Sequence, residues 1–166
     1  MTKWPLILIL VLASFSLQAE RFRVGFSFLE GGDNLLTGGS YLSYIKQDKS
    51  LDLQFFQKSK KLFTVQTSLL SINKQFSHNN YLVQLGLSFL INQTHIHLGS
   101  SETELKDSEL NYNLGGVFGF AYQFPFGSKW DLQLQWISHL YPAGISAIVL
   151  VTGRKETLTL ALGRAI

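Results

Sequence analysis

The sequence contains no cysteine. That excludes a disulfide framework, a thiolate metal site and a lipid-modified N-terminal cysteine. Charge is scarce too. Asp, Glu, Lys and Arg make up 15% of the 166 residues, against about 25% in an ordinary soluble domain. A water-facing strand surface is normally stocked with lysine and glutamate. Here Gln, Asn, Ser, Thr and Gly take that place, and these suit an enclosed, hydrated lumen. The net charge of +3 is small and scattered, so no nucleic-acid partner is expected. Beyond residue 19 there is no long uninterrupted apolar run, no helix-period segment, no heptad array and no low-complexity tract. A helical membrane protein and a coiled coil are thereby excluded. Membrane-crossing strands, which are short and alternating, are not.

What is present begins with residues 1–19, MTKWPLILILVLASFSLQA. Lys3 supplies a positive start, Leu6 to Leu12 an apolar run, and Ala19 a small residue before a cut. The run is shorter than the ~20 apolar residues that a spanning helix needs, so a cleaved secretory signal peptide is expected. Residues 20–166 then form one domain.

The clearest stretch of that domain is Leu110 to Leu140. Tyr112, Leu114, Gly116, Phe118, Phe120, Tyr122 and Phe124 alternate with Asn113, Gly115, Val117, Gly119, Ala121 and Gln123. Trp130, Leu132, Leu134 and Trp136 alternate in turn with Asp131, Gln133 and Gln135. A period of two is the mark of a strand. Pro125, Gly127 and Ser128 place a turn between the halves. The rest of the chain reads the same way. Phe22–Phe28, Tyr41–Lys46, Leu51–Phe55, Phe63–Leu69, Tyr81–Ile91, Ile145–Val151 and Leu158–Leu162 are further strands. Lys58–Lys61, Ser77–Asn80 and Gly153–Glu156 read as turns, and Asn92–Ser108 as the longest polar connection.

The pattern predicts an all-β, closed, antiparallel up-and-down transmembrane barrel. The tally is nine segments, and single-chain bacterial barrels usually have even strand numbers. Eight strands are expected, with ten as the alternative. Bulky apolar faces, lumen faces poor in charge, and aromatics gathered near strand ends put the greasy side outward. A soluble periplasmic lipocalin-like carrier of an apolar ligand would put it inward.

On the signal peptide, the alternating strands and the segments Gly115–Phe124 and Lys129–Leu134, the chain resembles the small outer-membrane β-barrel proteins of Gram-negative bacteria. The resemblance implies an outer-membrane location and lipid and lipopolysaccharide as surroundings. It also implies periplasmic chaperones and the barrel assembly machinery as partners, a monomer, and a structural or surface-interaction role without catalysis. Such barrels tend to end on an aromatic residue; this chain ends on Ile166.

A second resemblance bears on chemistry. Ser138-His139-Leu140-Tyr141-Pro142-Ala143-Gly144-Ile145 is similar in position to the catalytic segment of the lipid A 3-O-deacylases. His139 and Ala143-Gly144-Ile145 match; Tyr141 stands where that family has its nucleophilic serine. An esterase needs a hydroxyl beside its histidine, and Ser138 and Ser146 are at other offsets. Glu156 is a candidate acidic partner at a different spacing. A lipid A-modifying enzyme using His139 is therefore the alternative, and no catalytic set is carried over. His95 and His97 share a strand face, but no third ligand accompanies them, so no metal and no cofactor are expected. Lys58, Lys60 and Lys61 are candidates for touching lipopolysaccharide phosphates.

Overall fold

The computed structural model describes residues 21–30, 36–60, 63–96, 108–142 and 151–166. They form eight strands: β1 (Arg21–Glu30), β2 (Leu36–Lys46), β3 (Lys49–Lys60), β4 (Phe63–His78), β5 (Tyr81–Ile96), β6 (Ser108–Phe126), β7 (Trp130–Pro142) and β8 (Val151–Ala165). Each pairs antiparallel with its neighbour in sequence, and β1 pairs with β8 to close a barrel. The closing seam runs from Arg21 opposite Ala165 to Leu29 opposite Thr157.

The two ends differ. Tight turns at Gln47–Asp48, Asn79–Asn80 and Gly127–Lys129 share one end with Arg21 and Ala165. Gln47, Asn79 and Gly127 adopt positive φ there, as tight hairpins require. Turn carbonyls accept hydrogen bonds from neighbouring strands: Gln75 N–H donates to Asp48 O at 2.6 Å, Gln123 N–H to Asn80 O at 2.8 Å, and Ala165 N–H to Lys129 O at 2.8 Å. The longer connections leave from the opposite, loop end.

The apolar faces point outward. Phe26 is 73% exposed and Leu87 62%. Val24, Leu114, Phe120, Leu134, Leu158 and Leu160 are exposed beside them. The polar parity points inward: Ser27, Ser43, Asp52, Gln54, Gln84, Ser88, Gln133, Gln135, Thr157 and Thr159 are buried. This is the reverse of what a lipocalin-like carrier needs. The lumen holds a polar core, and one apolar cluster, Leu29, Phe56, Leu69, Leu90 and Tyr141, is packed within it toward the loop end.

Two turn assignments are corrected. Gly153–Glu156 lies inside β8, with Lys155 opposite His139 and Glu156 opposite Ser138. Lys58 and Lys60 lie inside β3, opposite Val65 and Phe63. Charges cluster at these strand ends because the wall there emerges from its apolar belt. β4 continues to His78, and β5 takes in Asn92–Ile96. The expected segment Ile145–Val151 falls outside the described residues except for Val151, the first residue of β8.

Because the chain has no cysteine, single cysteines report each face cleanly. Nitroxides on Leu85→Cys and Leu87→Cys should collide freely with lipid-soluble oxygen in bilayers. Nitroxides on Gln84→Cys and Ser88→Cys should not. Equal collision rates across both parities would contradict this register.

Candidate functional site

The lumen network is built from side chains that meet over glycine. Arg23 of β1, Gly163 of β8 and Asp131 of β7 lie in one cross-strand row. A strand separates the two charged residues, yet Arg23 Nε donates to Asp131 Oδ1 at 3.0 Å. A Cβ on Gly163 would lie 2.6 Å from that same Oδ1, so only glycine leaves the carboxylate its place. Arg21 Nη1 sits 2.8 Å from Asp131 Oδ2. One carboxylate thus serves two guanidinium groups, and Arg23 is only 1% exposed.

The same device recurs toward the loop end. Ser88 of β5 lies opposite Gly115 of β6, and Tyr141 of β7 reaches over that glycine. Ser88 Oγ and Tyr141 Oη are 2.8 Å apart; Ser88 Oγ and His139 Nδ1 are also 2.8 Å apart. A Cβ on Gly115 would lie 2.7 Å from Tyr141 Cδ1. Two hydroxyls and one imidazole form an unbroken chain whose direction follows the His139 tautomer. No protein group partners His139 Nε2.

Between these clusters amides and hydroxyls bond one another, while Gln54 Oε1, Asn73 Oδ1, Gln84 Nε2 and Gln133 Oε1 are left without a protein partner. Ser27 and Thr159 hydroxyls meet at 2.6 Å. Gln54 Nε2 donates to Thr157 and Thr159, each at 3.3 Å. Gln133 Nε2 donates to Gln135 Oε1 at 3.0 Å, and Gln135 Nε2 to Gln84 Oε1. Asp52 accepts from Asn73 Nδ2 at 2.7 Å, Tyr41 OH at 3.2 Å and Ser50 OH at 3.3 Å. These partners matter because an unmatched buried polar group costs about 1–3 kcal/mol.

The esterase candidates separate. His139 faces the lumen and Ser138, one residue away, has the outward parity. Tyr141 also faces inward. Glu156 lies on the outer side opposite Ser138 and pairs with Arg154. The hydroxyl that does touch His139 is that of Ser88. The contact has the length a nucleophile–base pair needs, but Ser88 is 0% exposed and sealed inside the wall. Ser146 and Ala143-Gly144-Ile145 fall outside the described residues.

His95 has the outward parity on β5, and His97 is outside the described residues. Among the described residues no group of three His, Cys, Asp or Glu comes together. Lys58 shares its parity with Gln54 and Phe56, the lumen side of the rim. Sequence reading missed Arg23, Ser88 and Asp52. The available signal was a charge or hydroxyl on the polar parity of an otherwise apolar strand.

No protein-family profile matches the chain, and no curated protein does. Solved structures do match. The Neisserial surface protein NspA aligns with a TM-score of 0.52 at 12% identity, covering 88% of this chain and 95% of that one. Ail, the attachment invasion locus protein of Yersinia pestis, solved with the heparin analogue sucrose octasulfate, gives 0.53 at 13%, covering 90% and 99%. The N-terminal β-barrel domain of Pseudomonas aeruginosa OprF gives 0.50 at 11%, covering 89% and 98%.

Gly163→Ala should cost about 2 kcal/mol by displacing Asp131 from Arg23. Gly116→Ala, where nothing lies within 4 Å of the added methyl, should cost little. Equilibrium urea unfolding in lipid vesicles measures both, and equal stabilities would refute the crowding. With these contacts in place, the chain has the fold of the small eight-stranded outer-membrane barrels.

Proposed function

We propose that the chain is exported on residues 1–19, inserts into a Gram-negative outer membrane as a monomer, and serves a non-catalytic structural or surface-interaction role. The observation that carries this reading is the wall: apolar outside, polar and closed inside. The shortest strand, β1, has 10 residues, and a tilted strand needs about 9–11 to cross a bilayer.

An aromatic belt follows the turn end. Tyr81 and Tyr122 meet edge-on at 5.0 Å, Tyr122 and Phe124 at 4.5 Å, and Phe22 and Tyr44 at 5.4 Å. The Tyr122 hydroxyl accepts from Asn80 Nδ2 at 3.3 Å. Arg164 lies 5.2 Å over the Trp130 ring, and Lys74 lies 5.4 Å over the Phe76 ring. Rings with a cation or hydroxyl at one end suit the headgroup level of a bilayer. In this reading the turn end faces the periplasm and the loop end the cell exterior, where a binding role resides in the connecting loops. Periplasmic chaperones and the barrel assembly machinery deliver the chain, and lipopolysaccharide surrounds its outer half. Among the described residues, lumen side chains fill the middle of the barrel, which argues against a diffusion pore, as befits an eight-stranded barrel. The inward position of His139 weighs against the lipid A-modifying alternative.

The test is heat modifiability. Outer membranes from cells expressing the full chain should contain the protein, migrating faster unboiled than boiled. Release by osmotic shock with no shift would overturn the reading. Lipid A mass should be the same with and without overexpression; a loss of one acyl chain that disappears in His139→Ala would restore the enzyme.

A further inference from the structure

The turn end of the lumen is not filled. A cavity of about 300 Å³ opens there, lined by Arg21, Arg23, Gln75, Ser77, Gln123 and the Gln47–Asp48 turn, among others. We infer that it is a binding site for a small oxyanion, a phosphate or a carboxylate, held chiefly by Arg23 and Gln75.

Three observations carry this. First, charge is unbalanced. Arg21 and Arg23 share the single carboxylate of Asp131. The other acid at the cavity, Asp48, is drawn to Lys74 on the outer face, 3.5 Å away. Second, two residues that line this cavity each carry a buried donor with no acceptor in the protein: Arg23 Nη1 and Gln75 Nε2. They belong to β1 and β4, so their convergence on one space is a product of barrel closure. Third, the donor set has the right chemistry. A guanidinium presents planar N–H groups that match the oxygens of phosphate or carboxylate, and such charge-assisted bonds are the strong ones. With Arg23 Nε committed to Asp131, Nη1 remains for a ligand. The volume accommodates a phosphate-sized group and rules out a polymer. If the proposed orientation holds, the ligand enters from the periplasm; the site itself does not depend on that orientation.

The experiment uses the full chain refolded in detergent and labelled with ¹⁵N. Sodium phosphate is titrated at constant ionic strength, and the side-chain signals of Arg23 and Gln75 are followed. A saturable shift of both signals is expected, abolished in Arg23→Gln. In Gln75→Leu the affinity should fall about tenfold, the loss of one hydrogen bond to a charged group. Sodium acetate in a parallel titration separates the two ligand classes; saturation by either supports the site. No saturable shift with phosphate or acetate would overturn it. So would an unchanged phosphate shift of Gln75 in Arg23→Gln, because the anion would then sit on surface cations. Heat modifiability of each variant establishes that its barrel is closed. Should Arg23→Gln fail to fold, Gln75→Leu decides alone: an unaltered affinity there rejects the site.

Discussion

The structure depends on one constraint: every backbone N–H and C=O in the wall must find a partner within the wall. A hydrocarbon medium offers none, and a sheet with free edges would leave two rows of groups unpaired at several kcal/mol each. The pairing of β1 with β8 removes both edges at once. Once the cylinder is closed, the alternation of side chains has only one outcome. One parity faces outward and the other is sealed inside, where each polar group needs its own partner. The glutamine, serine and threonine content, read in the sequence as suited to an enclosed lumen, is that sealed inside.

Eight strands also set how wide the inside can be, and so which residues fit. Lumen glycines are a direct consequence. Where two polar side chains from strands on either side of a third must touch, the middle strand has to give up its side chain. Gly163 does so between Arg23 and Asp131, and Gly115 between Ser88 and Tyr141. The apolar cluster around Leu69 and Leu90 takes the space that hydrogen-bonding groups do not use.

Much of this was legible in the residues. The alternation in Tyr112–Phe124 and Trp130–Trp136 was enough for the hairpin, and the bulk of one face, the lack of charge on the other and the aromatics near strand ends gave its outward side and the barrel class. Strand ends were not: Gly153–Glu156 has turn-like composition locally while its pairing partners Ser138–Tyr141 lie elsewhere in the chain, and Lys58 and Lys60 look like a turn but pair with Val65 and Phe63. The lumen sites were less legible still. Arg23 and Asp131 stand 108 residues apart, and nothing in either neighbourhood says they share a row. Only the register of the closed seam brings them together. Ser88 beside His139 was hidden for the same reason: the two stand 51 residues apart and meet only across β6.

The Arg23–Asp131 contact joins the first strand to the seventh across the eighth, so it exists only in the finished cylinder. Before closure, Arg23 and Asp131 would each lack the other, and leaving a buried polar group unmatched costs about 1–3 kcal/mol, more for a charged one. The buried ion pair is thus a latch across the seam, one that favours the finished cylinder over any open sheet.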